Sequence, residues 1–169
     1  MKDTLKLLNR MVRDGVIRQY AIGGAVAAIY YLEPFDTADL DIFVQVEASE
    51  NELRILAPIY EYLRQAGHKE RGEVVYIEGL PVQFLPVFNA LTEEAVLEAN
   101  TIVFARVKTR LMRAEHLVAI MLDTGRAKDY LRIAMFLEHQ AVDMRLLKTV
   151  LSRHGLLKKW KENEQKFKP

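Results

Sequence analysis

Cysteine is absent from the 169 residues, so neither disulfides nor thiolate-bound metals hold this chain together, and a reducing compartment is expected. No apolar run approaches the roughly 20 residues needed to span a bilayer. The N-terminus, MKDTLKLLNRMV, is amphipathic and lacks a signal-peptide core. A cytoplasmic protein with no membrane partner is the expectation. Charge of one sign is also missing: the net charge of +1 gives no general attraction to nucleic acid or membrane. No repeat or low-complexity segment interrupts the chain. What remains is half apolar and 28% charged, a globular composition for one domain or a core with a helical appendage.

The apolar pattern changes character along the chain. Residues 2–14 have helical spacing at Leu5, Leu8 and Met11/Val12, stopped by Gly15. VIRQYAI (16–22) reads as a strand, Gly23-Gly24 punctuates it, and AVAAIYYL continues as a short helix. ADLDIFVQV (38–46) alternates as a strand, with Asp39, Asp41, Phe43 and Gln45 on one face. Ser49 and Glu52 form a capping box opening a helix through Ala66. EVVYI and LPVQFL form a hairpin around Glu78-Gly79, and Pro81 suggests an edge position or a bulge. Thr92 starts another helix, and TIVFARV (101–107) is one further strand. Three helical runs follow from about Met112, with Gly125 between the first two and Asp143 as a cap for the third. The basic tail LLKKWKENEQKFKP reads as frayed. The expectation is an α/β (α+β) protein: residues 1–110 form a mixed core, and residues 111–169 form a helical segment packed on it.

Asp39 and Asp41 raise a chemical question. On a strand, residues i and i+2 point the same way, about 7 Å apart. Two carboxylates at that spacing repel by roughly 2 kcal/mol at an effective dielectric near 20. A hard divalent cation offsets this best, because Mg²⁺ takes carboxylate and phosphate oxygens. The alternative is a solvated or arginine-paired couple at a strand end. The Gly23-Gly24 turn adds a second feature, since a strand–Gly-Gly–helix turn offers backbone N–H groups to phosphate oxygens. Alone it is a tight turn; with the acids it makes one coherent site for a nucleoside triphosphate.

Gly23-Gly24, the helix AVAAIYYL, Thr37 in a loop and DLDIF in a strand together resemble the nucleotidyltransferase superfamily of the DNA polymerase beta-like fold. The likeness is greatest to small prokaryotic members of the abortive-infection toxin type. GRAKDYLRIAMFL (125–137) is similar to the Arg-x-Lys-Asp helix of that group. The resemblance implies a nucleotidyltransferase-like mixed sheet flanked by helices. It implies transfer of a nucleoside monophosphate from an NTP to an acceptor hydroxyl, with Mg²⁺ or Mn²⁺. Asp39 and Asp41 would hold the metals; Gly23, Gly24, Thr37 and Arg126 would bind phosphate; Lys128 would neutralise transition-state charge. The acceptor is left open among RNA, protein and a small molecule.

Two positions depart from the family pattern. Strand register puts Gln83 where a third carboxylate is usual; its amide oxygen can ligate a metal but cannot take a proton. Glu78 lies in the turn, not on the strand. Arg132 stands where the family often has an acid. With these departures the resemblance implies either a nucleotidyltransferase, weak or one-metal, or a binding module that lost catalysis and works through a protein partner, as in a toxin–antitoxin pair. The remaining candidates have plainer readings. Lys108, Arg110 and Arg113 read as solvated surface. His68, His116, His139 and His154 show no ligand spacing and read as ordinary surface or half-buried residues. Tyr30 and Tyr31 read as packing against the sheet rather than stacking on a base.

Overall fold

Leu5, Leu8 and Met11 recur at helical spacing, and helix α1 (Lys2–Arg13) forms over them, burying all three. Gly15, at φ +74°, ends that helix in a conformation that suits glycine. In this computed structural model the described residues are 1–34, 37, 39–46 and 55–167. After α1 come β1 (Gln19–Ile22), α2 (Gly24–Tyr31), β2 (Leu40–Gln45) and α3 (Ala57–Gln65). The Ser49/Glu52 cap lies outside the described residues.

The strands make a seven-stranded mixed sheet, ordered β3-β4-β5-β2-β1-β7-β6. Its remaining members are β3 (Lys69–Arg71), β4 (Val74–Ile77), β5 (Leu80–Pro86), β6 (Asn100–Phe104) and β7 (Val107–Leu111). β2 lies at the centre, antiparallel to β1 and parallel to β5, with Asp41 opposite Gln83. The β4–β5 hairpin turns at Glu78, at φ +54°. Glu78 also accepts from the Thr4 amide at 2.7 Å and pairs with the Met1 amine at 2.9 Å. These contacts hold its carboxyl down to about 2 and commit it to α1.

Several expectations change. Pro81 is on an interior strand, not an edge: it pairs with Tyr76 on β4, and the ladder to β2 begins only at Val82. Its missing N–H therefore costs no bond to β2. The single strand expected over 101–107 is two strands, β6 and β7, folded on Ala105 and Arg106 at φ +48° and +65°. β3 is an additional short strand. Helix α4 (Ala90–Leu97) starts before Thr92, because Asn89 caps it by accepting from the Thr92 amide at 2.8 Å.

The back of the molecule is helical: α5 (Ala114–Thr124), α6 (Ala127–Glu138), α7 (Met144–Arg153) and α8 (Leu157–Asn163). Gly125 caps α5 at φ +72°, and the Asp143 carboxylate caps α7 by accepting from the Arg145 and Leu146 amides. α5 is the central helix, packed against α2, α4, α6 and α7. Through Phe167 the tail is not frayed. Trp160 on α8 and Phe167 beyond it are buried, their rings 4.6 Å apart, and Phe167 stacks on Tyr130 of α6.

Candidate functional site

Gly23 and Gly24 sit where β1 becomes α2, directly over the face of β2 that carries Asp41 and Phe43. A Cβ added to Gly23 would come within 2.6 Å of the Phe43 ring. A Cβ added to Gly24 would overlap the Asp41 carboxylate, reaching 2.6 Å from its Cγ. Gly24 also holds φ +57°. The Gly23 amide donates to the Asp41 carbonyl at 3.0 Å. The amides of Gly24 and the residues after it are the first-turn donors of α2.

A cavity of about 580 Å³ opens at this junction, a volume within the range of small-ligand pockets. Gly24, Thr37, Asp39, Asp41 and Gln83 line it from the sheet side; Arg126, Lys128, Asp129 and Arg132 line it from α6. Every site residue expected from sequence except Gly23 is in that wall. Asp41 is half-buried, and burial, followed by the neighbouring Asp39 charge, pushes its carboxyl above the ordinary range. Arg126, Arg132 and Lys128 act on it in the opposite sense.

The α6 side is braced by a buried acid. Asp129 is fully buried and is clamped by the Arg126 guanidinium, Nε to Oδ2 at 2.7 Å and Nη2 to Oδ1 at 3.1 Å. It also accepts from the Arg126 amide at 3.2 Å, capping the helix. This pairing raises the Arg126 pKa and aims the guanidinium along the first turn of α6. Lys128 is exposed and makes no ion pair among the described residues.

The donor set fits a hard divalent cation. Asp39, Asp41 and the Gln83 amide line one wall, and half-buried Asp41 stands close to the second negative charge of Asp39. Asp39, Asp41 and Gln83 would hold the ion.

Residues with no signal in sequence also belong to this region. Phe88 stands at the cavity wall with 76% of its surface exposed. Tyr31 instead packs inward, its hydroxyl donating to the Met112 carbonyl at 2.9 Å, and neither Tyr30 nor Tyr31 lines the cavity. Arg110 and Arg113 are not simply solvated: they donate to the carbonyls of Val96, Leu97 and Glu98, which end α4.

A second polar cluster lies apart from the cavity wall. His116 is fully buried and His154 nearly so, and both meet Glu94, at 3.1 and 2.9 Å. Arg153 joins them at 2.8 Å. His116 is thus a core residue rather than a surface or half-buried one, while His154 as a whole residue is half-buried. Glu94, Glu98 and His116 bring one ligand atom each within 4.8 Å of one another and could hold a metal. Arg153 and Arg113, within 4 Å of Glu98, already supply positive charge there.

No protein-family model and no curated protein matches the sequence. Solved structures do match. A crystal structure of an antigenic nucleotidyltransferase-like protein from Paracoccidioides brasiliensis aligns with a TM-score of 0.55 at 13% identity, over 98% of this chain and 91% of that one. The solution structure of the antibiotic-resistance factor ANT(2'')-Ia aligns with a TM-score of 0.49 at 16% identity, over 92% of this chain and 94% of that one. The chain has a nucleotidyltransferase-like α/β fold.

Proposed function

We propose that this protein is a divalent-metal-dependent nucleotidyltransferase, moving a nucleoside monophosphate from an NTP to an acceptor hydroxyl. The observation that supports this most is the contact between Gly24 and Asp41. It joins the helix-opening turn, suited to phosphate, to the acid suited to a metal. In this reading the NTP lies in the cavity with its phosphates at the first turn of α2, beside Gly23, Gly24 and Thr37. The acceptor oxygen forms a bond to the α-phosphorus. The bond from that phosphorus to the bridging oxygen breaks, pyrophosphate leaves with the electron pair, and the acceptor proton is released. Mg²⁺ or Mn²⁺, held by Asp39 and Asp41, would lower the acceptor hydroxyl's pKa and screen the triphosphate. Lys128 and Arg126 face the charge that grows on the leaving group. Phe88 offers an exposed ring on which a base can stack. RNA, a protein and a small molecule all remain acceptor classes for test.

Thermal unfolding tests binding. An NTP with Mg²⁺ at about a hundred times its dissociation constant adds roughly 2.7 kcal/mol. Absence of any Mg²⁺-dependent shift with all four NTPs would refute the proposal. Incubation with labelled NTPs and cell lysate then tests transfer, which Asp39→Asn and Asp41→Asn must each abolish. A second reading is favoured by Gln83, which replaces a charged, proton-accepting group with a neutral one. It is a nucleotide-binding module acting through a protein partner, as in a toxin–antitoxin pair. Binding without transfer, with transfer gained by Gln83→Asp, would favour it.

A further inference from the structure

The β5 position opposite Asp41 carries no charge, but the next strand brings a carboxylate to it. β4 runs antiparallel to β5 with Val74 opposite Gln83. Glu73 immediately precedes Val74, in the turn from β3 to β4. Its Oε2 accepts a hydrogen bond from Gln83 Nε2 at 3.3 Å. A carboxylate only accepts, so the amide nitrogen must be the end that faces Glu73. The carbonyl oxygen of Gln83 takes the opposite end. Among the described residues it receives no hydrogen bond, and Gln83 lines the cavity beside its strand partner Asp41.

We propose that Glu73 is a positioning residue: it locks the Gln83 amide so that Oε1 is presented to the cavity as a neutral third oxygen ligand beside Asp39 and Asp41. This rests on the metal-dependent reading above. Without Glu73, the two ends of the amide are nearly equal in shape and exchange by a half-turn. The turned state offers an NH₂ group, which repels a cation. Glu73 therefore contributes without touching the ion, as hydrogen-bond partners of metal ligands do.

The test is Mn²⁺ titration of the full chain without nucleotide, with free Mn²⁺ read by electron paramagnetic resonance. Glu73→Ala is expected to weaken Mn²⁺ affinity about tenfold. Glu73→Gln keeps the wild-type affinity, because its amide oxygen accepts the same bond. Gln83→Ala weakens affinity, and adding Glu73→Ala to it costs nothing more. The inference is overturned if Glu73→Ala binds like wild type, if the two losses add, or if Glu73→Gln falls as far as Glu73→Ala. Asp41→Asn separates the failures. If it abolishes binding while Glu73→Ala does not weaken it, only this inference fails. If wild type binds no Mn²⁺, or binding survives Asp41→Asn, the metal reading fails and takes this with it. Glu73 is exposed on a turn, so the urea midpoints of its variants are expected to match wild type.

Discussion

Replacing Gly24 with alanine would separate the backbone strain of the turn from its contact with Asp41. Two terms act at this position. At φ +57° an L side chain costs about 1–2 kcal/mol. The added Cβ would also overlap the Asp41 carboxylate, and forcing atoms into a packed site costs typically 1–3 kcal/mol more. Gly15 provides the control. It holds φ +74° with nothing within 4 Å of an added Cβ, so Gly15→Ala carries the first cost alone. The expected losses are about 1–2 kcal/mol for Gly15→Ala and about 2–5 kcal/mol for Gly24→Ala. At roughly 2–4 °C per kcal/mol for a chain of this size, the second variant melts well below the first. Asp41→Ala should recover part of the Gly24→Ala loss, since it removes the carboxylate that the new methyl meets. Urea and thermal unfolding of the four variants measure this, alongside NTP binding. Equal losses at positions 15 and 24, or no recovery from Asp41→Ala, would show that the turn and the acid are not in contact.

Asp41→Asn should raise the melting temperature at neutral pH while abolishing any Mg²⁺-dependent shift, since it removes a carboxylate whose pKa is lifted by burial and by Asp39. A raised acid pKa destabilises the folded state above its ordinary value of 3.8, so the gain should vanish below that pH, where both folded and unfolded forms are neutral. Glu94→Gln should cost about 2–4 kcal/mol near neutral pH. Burial opposes ionisation of Glu94, but Arg153, His116 and His154 outweigh it and bring the pKa from 4.5 to about 2. That contribution is present above pH 4.5 and lost as pH falls towards 2, so the wild-type advantage in urea unfolding should shrink across this window. Trp160→Ala should cost about 3–5 kcal/mol in urea unfolding; a tail that does not pack would lose almost nothing.

Local pattern carried the acids and the glycines. Alternation placed Asp41 on the cavity face of β2, with Asp39 one residue before the strand, and Gln83 stands opposite Asp41 in the parallel β2–β5 ladder. Such features need only a few consecutive residues. The β6–β7 turn was hidden because Ala105 and Arg106 adopt positive φ without the glycine or asparagine that usually announces it. Asn89 and Thr92 are both cap-forming residues three apart, and they take part in one box with Asn89 as the cap. The Glu94 cluster was hidden for a different reason: its partners lie 22 and 60 residues away in the chain, so no spacing rule reaches them. Helical spacing does not separate Asp129 from its exposed neighbour Lys128, and only the packing of α6 shows it fully buried. The tail misled through composition, because its lysines outnumber the two aromatics that anchor it.

The contact between Gly24 and Asp41 ties two positions to one mutational history. A side chain at 24 meets the carboxylate unless 41 shrinks, and shrinking 41 takes a half-buried acid out of the pocket. Position 41 can change while 24 stays glycine, but 24 cannot change first. A bulkier residue at 24 therefore requires a smaller one at 41, whereas glycine at 24 accommodates either.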